Sequence, residues 1–416
     1  MNLAVRSTLL SLVVVASAQA AAPEISADQK SSLLEIISQR VTRMAFVPGA
    51  DFSKWPDHLA KHKASIDSAQ DNATFAVAVN EALGEFGFSH ISVLTPASAE
   101  ARSTGQQVGI GIYLEITPEG IKIKSVLPDS PADKAGLKPG ETIVEVNGVK
   151  PTSRSVLEGA PGTVFDMKIK ALNGKTRMTK VTRAAFSTRP PIELRWIKPD
   201  TAYIKISSFE GATTTNKEAG YNGSRMATLM QEVNAKAKFM VLDVRNNPGG
   251  FVMSMQDCAG FFIPKDKPLG TWLTRSIVNR FVKETGKSAN DFAALSEWSP
   301  AKMFPAKKDV VFTGKLAVLV NGGTGSAAEM ISASLQEQAG AKVFGTKSIG
   351  MVLAAVITPL KEGWQMMIPI QDFITSKGVR LEGRGVIPDT EIKTEPDGVK
   401  DPALDAAVKW LGSAKS

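Results

Sequence analysis

The sequence is poor in the residues that usually announce chemistry: 416 residues hold one cysteine, three histidines and three tyrosines. With Cys258 alone, no disulfide framework can form within the chain, and its position far from the start provides no lipidated mature end. Three histidines, His58, His62 and His90, make the search for an imidazole base or metal ligand exhaustive. No run reaches the roughly 20 apolar residues needed to cross a bilayer, so stable membrane insertion is not expected. The formal net charge is +8, but lysines and arginines are scattered among acids. No dense basic run with interleaved aromatics exists, which argues against a nucleic-acid partner.

What is present divides the chain. The length implies two or three domains. The opening MNLAVRSTLLSLVVVASAQA has an early arginine, an apolar stretch from Leu9 to Ala16 and a small-residue ending at Ala20. That pattern predicts a signal peptide over 1–20, removed on export to a bacterial periplasm. Residues 21–98 read as an N-terminal helical cap, with SSLLEIISQRV and ATFAVAVNEALGEF at helical spacing. SAEARSTGQQ, small and polar, reads as a linker.

From Val108 short β segments follow one another: VGIGIYLEI, IKIKSVL, ETIVEVNG, TVFDMKIKAL and TRMTKVTRA. A short helix of the SPADKAG type lies between the second and third. This order resembles a PDZ domain over 107–186. The resemblance implies that Val108, Gly109, Ile110, Gly111 and Ile112 form the loop whose amides take a peptide's terminal carboxylate, the next strand pairing with the peptide by β addition. Only VLEGAPG stands where the second wall of a PDZ groove would be, so a structural module remains the alternative.

Beyond Ile192, strands at AYIKIS, FMVLDVR, KLAVLV, KVFG and WQMMIPI alternate with helices at GSRMATLMQEVNAKA, GFVMSMQDCAGFFI and SAAEMISASLQEQAG. The expected fold class is therefore multi-domain α+β with an α/β core around a central sheet over 190–416. Gly249 and Gly250, at the end of VLDVRNNPGG, are candidate oxyanion-hole residues, since glycine lets backbone N–H groups approach a reacting oxygen.

DVRNNPGG, NGGTGSAAE and GRGVIPDTEI, in this order after a PDZ-like segment, resemble the C-terminal processing, or tail-specific, serine peptidases. The resemblance implies that Ser326, three residues before Glu329, is the nucleophile, and that Ala327 supplies a second oxyanion amide. Members of that family usually take their base from a lysine in a GEKTFGKGSVQ-like stretch. Here the stretch is GTKSIGMVLAA, with Met351 at the lysine position and Ala355 at the supporting glutamine. Methionine accepts no proton, which moves the search to the histidines. His58 and His62, in PDHLAKHKA, have no third ligand nearby to make a metal site.

His90, in ELGxSH-like context, resembles the tricorn-type branch of the same superfamily. That likeness implies His90 as general base, Ser89 as its accessory and Glu382, in VRLEGRGVIPD, as the acid. Together these give an endopeptidase for unfolded or C-terminally exposed polypeptides, working through an acyl-enzyme without metal or cofactor. The competing readings are an inactive pseudopeptidase that binds peptides, and a Ser326/Lys347 dyad. The sequence is compatible with an adaptor protein and with a homo-oligomer, and specifies neither.

Overall fold

The computed structural model describes residues 24–212, 217–394, 396 and 400–413. The expected signal peptide lies outside them. Among the described residues no helix is long and apolar enough to cross a membrane.

The N-terminal part comprises α1 (Ala27–Met44), α2 (Trp55–Lys61), α3 (Lys63–Ser68) and α4 (Asn72–Gly84), then β1 (Ser92–Leu94) and α5 (Pro96–Thr104). Each long helix starts where a cap makes it start: Ser26 accepts from the Gln29 amide at 3.2 Å, and Asp71 from the Thr74 amide at 2.8 Å. Their inner faces bury Ile37, Phe75 and Leu83 completely, each contributing about 1.5–3 kcal/mol. Trp364, Met366 and Ile368, from the far end of the chain, share this core. The helices are thus held by the C-terminal half, by more than any single hydrogen bond supplies.

α5 corrects the linker expected from SAEARSTGQQ. Thr95 accepts from the Ser98 amide, Pro96 sits in the first turn, and Gly105 (φ 62°) ends the helix. Small polar residues between such signals are a capped helix rather than a tether.

The β domain contains β2 (Gln106–Gly109), β3 (Ile112–Thr117), β4 (Gly120–Val126), α6 (Pro131–Lys134), β5 (Thr142–Val146), β6 (Val164–Lys170), β7 (Thr176–Thr182) and β8 (Ala184–Ser187). β3 to β7 form one sheet in sequence order, and β2 pairs with β8. VGIGIYLEI is therefore two strands, broken where Gly111 takes φ 80°. A Cβ there would lie 2.2 Å from Ser130 Cβ, so no other residue fits. Only a 3-10 turn, Arg154–Leu157, precedes β6.

The core begins with β9 (Glu193–Lys198), β10 (Thr201–Lys205), α7 (Gly223–Lys236), β11 (Phe239–Asp243), α8 (Val252–Ala259) and β12 (Gly270–Thr274). It continues with α9 (Arg275–Thr285), α10 (Phe292–Trp298), β13 (Lys302–Met303), β14 (Lys315–Val320), α11 (Ala327–Gln338) and β15 (Lys342–Gly345). β16 (Ala354–Pro359), β17 (Gln365–Thr375), β18 (Thr390–Glu391) and α12 (Pro402–Gly412) complete it. The central sheet has the order β18-β15-β14-β11-β10-β9, parallel except for β9. Met226, Met255 and Met330 from α7, α8 and α11 pack on one face, and Ala403, Ala407 and Leu411 of α12 on the other. Burial on both faces explains why these strands read as continuous apolar runs.

A second sheet, β1-β17-β12-β13 with β16 also on β17, carries the N-terminal part into the core. β1 pairs antiparallel with β17, Ser92 opposite Met367.

Candidate active site

β11 and β14 run side by side, with Asp243 opposite Leu319. The loops leaving their carboxyl ends are stitched together. The Asn246 N–H donates to Asn321 Oδ1 at 2.9 Å, and Asn321 Nδ2 donates back to Asn246 Oδ1 at 3.0 Å. Thr324 Oγ1 donates to the Val244 carbonyl at 2.9 Å, and the Gly325 N–H to the Asn247 carbonyl at 2.9 Å. Asn321 therefore holds one loop to the other.

Ser326 lies at the end of the second loop and begins α11 with φ 52° and ψ −123°, a backbone conformation that non-glycine residues seldom adopt. Its N–H is held by the Met351 carbonyl at 2.8 Å and by Glu329 Oε2 at 3.0 Å. Glu329 is fully buried and also accepts from Ser348 Oγ (2.5 Å), the Gly350 N–H (2.7 Å) and the Met351 N–H (2.9 Å). Burial pushes its carboxyl above the ordinary range, against the pull of these donors. One carboxylate thus fixes both the serine and the segment that bears Met351.

Gly249 touches the serine. A Cβ on Gly249 would lie 2.6 Å from Ser326 Cβ, and its φ is 102°. Its own N–H is donated to Asn247 Oδ1 at 2.8 Å. The Gly249 carbonyl accepts from the Phe209 N–H at 2.7 Å, and the planar trans peptide turns the Gly250 N–H to the opposite side. The Gly250 and Ala327 amides have no acceptor among the described residues.

The other sequence-derived residues meet around Glu382. Its Oε1 accepts from the Ser89 N–H at 2.7 Å and its Oε2 from Ser89 Oγ at 2.9 Å. The Val352 N–H also donates to Oε2, at 2.7 Å. Ser89 Oγ lies 2.6 Å from His90 Nδ1. A hydroxyl has one proton; since Ser89 gives it to a carboxylate, it accepts from Nδ1–H, and Nε2 is left with the lone pair. Nε2 has no hydrogen-bond partner among the described residues, Ser326 included. Burial lowers the imidazole pKa, the Glu382 carboxylate opposes that shift, and Arg102 adds to it. His90 is therefore neutral at pH 7 and can accept a proton.

The chain delivers these groups from far apart. Asn80 on α4 takes the Val93 N–H at 2.7 Å and donates to the Val93 carbonyl at 3.1 Å, fixing the turn that ends in His90 (φ 59°). The β1–β17 pairing then sets this turn beside the segment that follows β17. There Arg380 Nε donates to the buried Asp372 at 2.6 Å, anchoring the approach to Glu382.

Lys347 is exposed and Met351 is 39% exposed. His62 Nε2 pairs with Glu85 at 2.9 Å, on the surface of the helical part. Among the described residues no three His, Cys, Asp or Glu side chains gather to hold a metal ion. In the β domain, the Ile110 and Gly111 amides have no acceptor among the described residues, and Ile112 opens β3, an edge strand. Val108 and Gly109 are instead paired with Ala185 and Ala184.

Sequence reasoning missed the Val352 amide, which as a backbone group leaves no mark in the sequence. It also missed the clamp made by Glu329, although a glutamate three residues after a serine is a capping-box spacing. Arg102 went unnoticed because its segment read as a linker.

Residues 200–392 match the family model described as peptidase family S41, and residues 122–170 match a PDZ domain. A probable CtpA-like serine protease of Staphylococcus epidermidis is 28% identical over 298 residues, 70% of this chain and 54% of the relative. Carboxyl-terminal-processing peptidase 3, chloroplastic, of Arabidopsis thaliana is 25% identical over 335 residues, 75% of this chain and 59% of the relative. The chain thus spans little more than half the length of the curated relatives it matches. Among solved structures, the photosystem II D1 C-terminal processing protease has a TM-score of 0.54 at 20% identity, covering 94% of this chain and 98% of that one. Mature CPAF has a TM-score of 0.56 at 13% identity, covering 92% and 96%. These similarities support the C-terminal processing peptidase family, and the structural ones show the shared fold.

Proposed function

We propose that this chain is a serine endopeptidase of the C-terminal processing type, with His90 in the role that a lysine usually fills. The observation that carries the reading is the Glu382–Ser89–His90 chain of hydrogen bonds, which leaves Nε2 as the acceptor. Ser326 Oγ attacks the scissile carbonyl carbon while Nε2 takes its proton. The oxyanion is met by the Ala327 amide and by that of Gly250, the Gly249 amide being spent on Asn247. The imidazolium returns the proton to the leaving amine, and water repeats the sequence on the acyl-enzyme. Val352 links the two halves: its N–H binds Glu382, and its neighbour Met351 holds Ser326 through the main chain. On this reading Met351 stands where the family's lysine would, and its thioether accepts no proton.

The substrate is an unfolded or C-terminally exposed polypeptide, its terminal carboxylate taken by the Ile110–Gly111 amides and its backbone paired along β3. Action in the periplasm follows from a leader over residues 1–20. The test is labelling by a fluorophosphonate probe and hydrolysis of an unfolded protein. Wild type should react and Ser326→Ala should do neither; equal labelling of the two with no Ser326-dependent cleavage would sink the reading.

A second reading, a peptide-binding pseudopeptidase, is favoured by one observation: Nε2 and Ser326 share no hydrogen bond. It predicts peptide binding to the β domain with no turnover by wild type.

A further inference from the structure

The chain passes between the β domain and the core twice, through α5 into β2 and from β8 toward β9. The two crossings run together: the Thr188 N–H and Oγ1 both donate to the Gly105 carbonyl, at 3.0 and 3.1 Å. Each also sends one arginine to the same carboxylate. Arg102 Nη2, from α5, lies 2.7 Å from Glu210 Oε1, and Arg189 Nη2, from the return crossing, pairs with Glu210 Oε2. Arg189 also donates to the Arg102 and Gly211 carbonyls. The Arg189 and Glu210 side chains are 8% and 16% exposed, so this pair is screened little by solvent.

Glu210 stands one residue from the contact that shapes the loop beside Ser326. The Phe209 N–H donates to the Gly249 carbonyl at 2.7 Å, and the Phe251 N–H to the Phe209 carbonyl at 3.1 Å. The approach is backbone on backbone: a Cβ on Gly250 would lie 2.2 Å from the Glu210 nitrogen and 2.3 Å from the Phe209 carbonyl carbon. Glu210 is pinned behind as well, its carbonyl accepting from the Tyr221 N–H at 3.0 Å. The Glu210 main chain meets Gly250 with no room between them, so a shift of that main chain is passed to Gly249 and Gly250, and the two arginines that hold the carboxylate tie the Glu210 side chain down at its far end.

We propose that Glu210 is a positioning residue for the proposed peptidase reaction: held by Arg102 and Arg189, it sets the Phe209–Gly250 contact and through it the amides that face Ser326. The inference rests on the peptidase reading for its kinetic consequence, but its structural half can be measured without turnover. The oxyanion donors act only in the transition state, so displacing them lowers kcat and spares KM.

The experiment compares wild type, Glu210→Gln, Arg102→Lys and Arg102→Gln in the full chain, by steady-state kinetics on an unfolded substrate and by amide hydrogen exchange. Glu210→Gln should lower kcat about 10- to 100-fold with KM within about twofold, and speed exchange at Phe209 and Phe251 while leaving the β10 and β14 amides protected. Arg102→Lys, which keeps the charge, should stay within about threefold of wild-type kcat, and Arg102→Gln should fall between it and Glu210→Gln. Should Glu210→Gln fail to fold, the two Arg102 variants carry the comparison, since that arginine is 38% exposed; their kcat is read on the high-pH plateau, where His90 is neutral whichever way the charge of Arg102 moves its pKa. Wild-type kcat and wild-type exchange at Phe209 and Phe251 in Glu210→Gln, or the same in Arg102→Gln if that variant alone folds, would overturn the proposal. If wild type itself shows no Ser326-dependent turnover the peptidase reading falls, and the exchange data still decide whether Glu210 holds the loop.

Discussion

Ser89 and Glu382 stand 293 positions apart in the chain and meet through two hydrogen bonds, from the serine N–H at 2.7 Å and its hydroxyl at 2.9 Å. Both oxygens of the carboxylate face one residue, which leaves the Ser89 hydroxyl oxygen as the acceptor for His90. The tautomer of the imidazole is thereby set by a residue from the C-terminal part of the chain.

A pH prediction follows. Burial holds the His90 pKa below its usual 6.5, and the Glu382 charge partly offsets that. The base is active when neutral, so kcat/KM should rise with pH through an apparent pKa below 6.5 and be flat above it. Glu382→Gln removes the charge that favours the imidazolium, so the acid limb should move to lower pH. Loss of the fixed tautomer should also cut kcat by roughly 10²- to 10⁴-fold. A limb that moves to higher pH would contradict the assignment.

The identity of the base is separable by two substitutions. His90→Ala should lose about 10³-fold or more in kcat with the fold intact. Lys347→Ala, at an exposed position, should keep wild-type kcat. The reverse pattern would establish a Ser326/Lys347 dyad.

Gly249→Ala puts a methyl group where only 2.6 Å separates it from Ser326 Cβ, at φ 102°. The methyl cannot be accommodated without moving the nucleophile. Fluorophosphonate labelling should slow by at least about 100-fold, and circular dichroism should report an unchanged fold. Labelling at the wild-type rate would show that the loop is softer than the contact implies.

Glu329→Gln replaces an oxygen with an amide donor in a ring of donors: Ser348 Oγ and the Gly350, Met351 and Ser326 amides. At least one donor then faces another, a loss of about 1–3 kcal/mol. Denaturant unfolding should show that loss, with kcat reduced because Ser326 and the Met351 segment separate. In wild type the folded carboxyl titrates above its ordinary 4.5. This group's contribution is therefore fully present below that value and declines as pH rises toward the folded one. Glu329→Gln, which does not titrate, should flatten that part of the stability profile.

Much of this was legible in order along the chain. Val241, Leu242, Val318 and Leu319 are fully buried, and strands buried on both faces leave apolar runs that need no partner to be recognised. The helix start at Ser326 was legible because a serine between glycine and two alanines after such a run is a local pattern. α5 did not, since its Ala and Ser residues carry little periodicity and the cap at Thr95 was decisive.

The sequence by itself determined β10, β11, β14, β15 and β17 of the core, the turn at Ser326 and the short stock of histidines, because these depend on neighbours within a few residues, while β9, β12, β13, β16 and β18 left no such mark. The tertiary structure alone decided that the Ser89–His90 turn meets Glu382, through β1 on β17 and the shared core of Ile37, Phe75 and Trp364. It also decided which amides near Ser326 are spoken for. Hydrogen-bond partners hundreds of residues apart leave no mark on spacing; burial of the surfaces that carry them brings them together.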